Sequence, residues 1–168
     1  PAGSPYPVLN NIVGGVTING FTATGWTANP IIAIDGPGWG ECLTITNSPN
    51  SVIQGLVIFD WGNNGTIYIN GSNNCQIRGC WIGVNLAQAV AGNNGAAGIY
   101  INNANNNSIG GDLSINPEYK VWITNKQDGI RFESNSKYNT IYGTFIGTTL
   151  DGSAGLGTLQ NAAIFIRQ

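Results

Sequence analysis

GTIYINGSNNCQIRGCWIG, residues 65–83, holds the pattern that decides the fold. Ile67 and Ile69 flank a tyrosine, a polar Gly/Ser/Asn turn follows, and a second apolar step, QIR, closes on Gly79. A third step begins at Trp81-Ile82. The same succession returns along the chain. First-step pairs recur at Leu43/Ile45, Ile99/Ile101, Ile130/Phe132 and Ile164/Ile166. From Leu43 onward the first-step spacings are 24, 32, 31 and 34 residues. Second steps recur as NSVIQG (50–55), NSIGG (107–111) and NTIYG (139–143). Self-similarity at a period of about 20–50 residues marks a solenoid, whose repeats bury their apolar sides only by stacking on one another.

Each step alternates as a strand does. In Ile67-Tyr68-Ile69 the two isoleucines share one face and the tyrosine takes the other. The steps are too short and too β-branched for helices, and Gly or Asn interrupts them every few residues. The pattern predicts an all-β parallel β-helix of about five to six coils with inserted loops, one domain over 1–168. Three inward ladders are expected. The first is Leu43, Ile67, Ile99, Ile130, Ile164, beside Ile45, Ile69, Ile101, Phe132, Ile166. The second is Ile53, Ile77, Ile109, Ile141, and the third is Ile58, Ile82, Ile123, Ile146. Gly55, Gly79 and Gly143 stand at the bend between second and third steps, where a glycine-only conformation is expected. Longer coils place insertions at Val84–Ala97, Asp112–Lys120 and Thr148–Ala162.

Composition narrows the function classes. Charged residues are 8% of the chain against about 25% in ordinary domains, yet 42% are hydrophobic, which opposes disorder. Six Lys and Arg with a net charge of −2 argue against nucleic acid or an anionic membrane as partner. No apolar run reaches the roughly 20 residues of a membrane span. Histidine is absent and no CxxC occurs, so neither metal nor cofactor is expected. Cys42, Cys75 and Cys80 allow at most one bridge. Cys80, just past the bend, is expected to be buried, reduced and unreactive, with a Cys75–Cys80 bridge as the alternative. The chain opens on Pro and contains no Met, so it is expected to be processed or part of a longer solenoid or filament. Its final strand, Ile164–Ile166, is expected to offer an open edge for end-to-end self-association.

The stretches GVTINGFTATGWTANPIIAIDGPG (15–38), CLTITNSPNSVIQGLVI (42–58), NNNSIGG (105–111), DGIRF (128–132), NTIYGTFIGTTLDGSAGLGT (139–158) and NAAIFI (161–166) resemble the repeats of secreted bacterial right-handed parallel β-helix proteins of the pectate-lyase-like superfamily. The resemblance covers nearly the whole chain. It implies a right-handed solenoid at an extracellular or cell-surface location, and it carries no settled activity. One departure is that Leu56, Cys80 and Thr144 stand after the bend glycines, where the family often has Asn.

By the same resemblance, the outer face of the first strands is the natural binding groove. That face reads Thr44, Tyr68, Tyr100, Arg131, Phe165, with Thr46, Asn70, Asn102, Glu133 and Arg167 beside it. Tyrosine rings stack on sugars, and Asn, Glu and Arg bond hydroxyls, so Tyr68, Tyr100, Asn70, Asn102, Arg131, Glu133 and Phe165 are the candidate glycan-binding residues. The competing reading is that aromatics are simply good residues for a half-exposed sheet. Catalysis would require paired carboxylates, and Asp128 with Glu133 beside Arg131 and Arg167 is the one charge cluster on this face. Asp128 is equally well explained as a turn residue. The expected function is therefore structural and adhesive, without catalysis. The alternative is a carbohydrate-binding or polysaccharide-degrading β-helix. A third-strand stripe, Val57, Trp81, Trp122, Phe145, calls for cover from the inserted loop at Val84–Ala97 or for contact with another chain.

Overall fold

The computed structural model of the chain describes residues 8–91, 95–124, 126–156 and 161–167. The first coil comprises β1 (Leu9–Asn10), β2 (Thr17–Asn19) and β3 (Ile32–Asp35). The second comprises β4 (Leu43–Thr46), β5 (Val52–Gln54) and β6 (Leu56–Phe59), and the third β7 (Ile67–Asn70), β8 (Gln76–Arg78) and β9 (Trp81–Ile82). The fourth holds β10 (Ala97–Asn102), β11 (Ser108–Gly110) and β12 (Val121–Ile123), and the fifth β13 (Asp128–Glu133), β14 (Thr140–Tyr142) and β15 (Thr144–Ile146). β16 (Ala162–Ile166) opens a sixth. Three parallel sheets result, ordered β1-β4-β7-β10-β13-β16, β2-β5-β8-β11-β14 and β3-β6-β9-β12-β15. This is a parallel β-helix.

The ladders stack in the predicted register. Leu43 faces Ile67, Ile67 faces Ile99, Ile99 faces Ile130 and Ile130 faces Ile164. Ile53, Ile77, Ile109 and Ile141 form the second column, and Ile58, Ile82, Ile123 and Ile146 the third. Ile45, Ile58, Ile67, Ile82, Ile99 and Ile101 are wholly buried. The first coil differs from expectation by one strand: Leu9 pairs with Ile45, so the first sheet begins a coil earlier than Leu43.

Two kinds of bend close each coil. Between second and third sheets the chain turns on Gly55, Gly79 and Gly143, at φ of 71°, 60° and 58°. A side chain at Gly55 or Gly79 would collide with the ring of Phe21 as well. The residues after these glycines point inward: Leu56 and Cys80 are buried, and Val121 occupies the same column in the fourth coil. An apolar residue there serves the core in the second, third and fourth coils, while Thr144 in the fifth is half-buried and its hydroxyl donates to the Tyr142 carbonyl.

The asparagines instead build the turn between first and second sheets. Asn47 and Asn50, Asn103 and Asn106, and Asn74 all take left-handed φ between 47° and 64°, a conformation that Asn tolerates better than most residues. Their neighbours bond from coil to coil. The Cys75 amide donates to Asn107 Oδ1 at 2.8 Å, and the Asn107 amide to Asn139 Oδ1 at 2.9 Å. A second row runs from the Lys137 amide to Asn105 Oδ1 and from the Asn105 amide to Asn73 Oδ1, both at 2.7 Å. Ser48 joins Ser72 in the same way, its amide donating to Ser72 Oγ at 2.9 Å.

The third-strand stripe is covered. Val57, Trp81 and Trp122 are buried with Val84, against Phe59, Phe145, Leu150 and Leu156. The Trp122 indole donates to the Thr148 carbonyl at 2.7 Å. Cover thus comes from the loop after β15 as much as from the one after β9; residues 92–94 of the latter lie outside the described part. Cys42, Cys75 and Cys80 are buried free thiols. Burial pushes the Cys42 and Cys80 thiols up to about 12 and raises Cys75 as well.

A buried lysine was not anticipated. Lys126 is wholly buried, and its Nζ donates to the Trp61 carbonyl at 2.7 Å. Burial pushes its ammonium down to about 8, against attraction from Asp60. A lowered lysine disfavours the charged form in the folded state, so the unfolded chain holds more protons above pH 8 and stability rises with pH. Compared with Lys126→Met, the wild type should gain about 1 kcal/mol between pH 8 and 9 in denaturant titrations. A pH-independent difference would place the ammonium in water. Comparison with Met cancels the opposing contribution of the three thiols.

Ile101→Ala should cost about 2–5 kcal/mol, as deletion of a buried branched side chain does. Tyr68→Ala should cost less, about 0.5–1.5 kcal/mol for the aromatic pair plus a share for its half-buried ring. Equal losses in urea unfolding would mean that the two faces are reversed.

Candidate functional site

Parallel stacking in register forces like positions into columns, and that alone assembles the outer face of the first sheet. Thr44, Tyr68, Tyr100, Arg131 and Phe165 are successive register partners. So are Thr46, Asn70, Asn102 and Glu133. All seven predicted site residues therefore come together on one face. Tyr68 and Tyr100 stack with ring centroids 4.8 Å apart and planes 20° apart. The Arg131 guanidinium lies 5.8 Å from the Tyr100 ring and 5.4 Å from the Phe165 ring. Each ring thus continues the column above or below it.

The polar heads are bonded to each other. The Tyr100 hydroxyl donates to Glu133 Oε2 at 2.9 Å, and Arg167 donates to the same carboxylate at 3.2 Å. Asn102 Nδ2 donates to Asn70 Oδ1 at 3.0 Å and reaches the Tyr68 hydroxyl at 3.5 Å. Arg131 Nε donates to Asp128 Oδ2 at 2.9 Å, and its Nη2 forms a second bond to the same oxygen. Asp128 is buried, with Oδ1 lacking a hydrogen-bond partner among the described residues. The cluster of Asp128, Glu133, Arg131 and Arg167 is thus two separate pairings. Asp128 and Glu133 each face their own arginine rather than each other. Among the described residues no group of three His, Cys, Asp or Glu is placed to hold a metal ion, and no helix is long and apolar enough to cross a membrane.

A second cluster went unforeseen. The segment after β2 contains the single helical turn Gly20–Thr22, and Asp112–Lys120 contains another at Pro117–Tyr119. Both leave the coil at the same bend, in the first and fourth coils, and meet over the bare glycines of the two coils between. Phe21 packs on Gly55 and Gly79. It stacks on Tyr119 at 6.1 Å and 9°, and meets Trp26 at 5.2 Å. Arg78 lies 4.5 Å over the Tyr119 ring. The sequence marked 112–120 as an insertion, but its partner 20–31 passed for an ordinary connection. Phe21 and Trp26 within a Gly/Thr-rich stretch were the available signal.

No protein-family model, no curated protein and no solved structure matches the chain. The chemistry of the site rests on its own residues.

Desolvation raises the Tyr100 hydroxyl to about 12, helped by its bond to Glu133 and the negative charge there. A titration of the tyrosine ring protons by NMR should find one midpoint near that value. Glu133→Gln should lower it without returning it to the ordinary range, because desolvation remains. An unchanged midpoint would break the Tyr100–Glu133 pair.

Proposed function

We propose that the chain is an extracellular, structural and adhesive solenoid of a cell-surface protein or filament, related in kind to secreted bacterial pectate-lyase-like β-helix proteins, and that it performs no catalysis. One observation carries this reading: Asn70, Asn102, Tyr100, Arg131 and Glu133 each bond a neighbouring side chain, most of them from one coil to the next. Such a face strengthens the stack from coil to coil, as cross-strand pairs do. Both of its carboxylates, Asp128 and Glu133, are paired with an arginine. The low charge of the chain and its covered third-strand stripe suit a surface that makes contacts over area rather than at one reactive point.

The test is a panel of immobilised polysaccharides assayed both for retention of the protein and for release of reducing ends. Retention without release is expected. Release of reducing ends would replace the adhesive reading with an enzymatic one on the Tyr68/Tyr100/Glu133 face. Absence of both would leave a purely structural coil.

A further inference from the structure

Between the two excursions lies a cleft of about 280 Å³, walled by Trp26, Pro30, Trp81, Glu118, Lys120 and Leu150. We propose that this cleft, and not the first-sheet face, binds the ligand, and that the ligand is one uncharged pyranose unit of a glycan. The proposal rests on the adhesive reading above and gives that reading its site.

The walls select the chemistry. Trp26 supplies the accessible apolar ring surface, over a floor that includes the buried Trp81, which Trp122 holds edge-on, 5.6 Å away at 81°. The Glu118 carboxylate has no hydrogen bond or ion pair among the described residues and offers acceptor oxygens to the cleft. Lys120 Nζ spends one donor on the Leu150 carbonyl at 3.1 Å and lies 4.8 Å from the Phe145 ring. An ammonium has three donors, so two stay available. Glu118 and Lys120 together balance in charge, so neither an anion nor a cation gains net attraction from the pair. A plain hydrocarbon would leave both charged groups desolvated without compensation. A polyhydroxylated ring satisfies all three walls: its C–H face covers an indole, one hydroxyl donates to Glu118, and another accepts from Lys120. At about 280 Å³ the cleft falls just under the roughly 300 Å³ at which sites for drug-sized ligands begin, which suits a single ring rather than a longer segment.

The position follows from the fold. The excursions of the first and fourth coils can meet only because Gly55 and Gly79 leave the intervening bends without side chains. The cleft is therefore built by stacking, on a side of the helix away from the first-sheet columns.

The experiment titrates the whole chain with maltotriose, cellotriose and N-acetylated chitotriose, with trigalacturonate as the anionic control. Tryptophan fluorescence and indole N–H shifts report binding. At least one neutral trisaccharide should bind and trigalacturonate should not. Glu118→Ala and Trp26→Ala should each weaken binding at least tenfold, while Asn102→Ala on the first-sheet face leaves it unchanged. Glu118 lies in a surface turn, so its variant reports on the cleft even if Trp26→Ala fails to fold. Binding insensitive to Glu118→Ala but lost in Asn102→Ala would overturn the cleft and leave the adhesive reading standing. Preference for trigalacturonate would overturn the ligand class. Failure of every neutral trisaccharide to bind would overturn the proposal itself, whereas retention on larger polysaccharides would still support adhesion.

Discussion

In-register parallel stacking is the constraint from which everything else follows. A three-residue strand such as Gln76–Arg78 has one inward side chain, Ile77, and cannot bury it alone. Ile53 below and Ile109 above do so, and each depends in turn on its own neighbours. A coil out of register by one residue would send its isoleucines to solvent and its Tyr or Arg into the core. Every turn therefore has to return the chain to the same column. Gly at the second bend and left-handed Asn at the first are the residues that permit this at small cost.

Insertions respect the same constraint. They occur where the chain leaves a sheet and never inside a strand, so coil length varies while register does not. Two consequences are functional. The loop after β15 brings Leu150 and Leu156 over the third-sheet tryptophans. The excursions after β2 and β11 meet across two coils and enclose a mixed apolar and charged cleft. The first-sheet face received no insertion, and its side chains turned to one another: Tyr100 to Glu133, Asn102 to Asn70, Arg131 to Asp128. A repeating face stabilises the stack, and an interrupted one creates a site.

The sequence made the repeating features legible. Ile67 and Ile69 around Tyr68, and Gly79 closing its step, state face and bend in a few residues, because both follow from local geometry. Features that depend on two distant segments were not legible. Leu9 sits in VLNN without a second apolar residue at i+2, and its partner Ile45 is 36 residues on. Phe21 and Tyr119 have no sequence relation to each other, and their stacking appears only once the intervening glycines are aligned. Lys126 in TNKQDG reads as an ordinary turn lysine, and its burial is decided by where that turn folds relative to Trp61. At the site, residue identity and column were readable from spacing. The internal pairing of their polar groups was not, since it depends on side-chain reach between coils.

The register is open to direct measurement. Asn70 and Asn102 are adjacent outward positions of β7 and β10. Strands in one sheet lie about 4.8 Å apart, within disulfide range, whereas diagonal neighbours lie about 7–8 Å apart, beyond it. The native thiols are buried and stay inert under mild oxidation. The double variant Asn70→Cys/Asn102→Cys should close an intramolecular disulfide quantitatively, read by peptide mass after digestion, and Asn70→Cys/Tyr100→Cys should not. Efficient closure of the diagonal pair with failure of the direct one would contradict in-register stacking and the fold built on it.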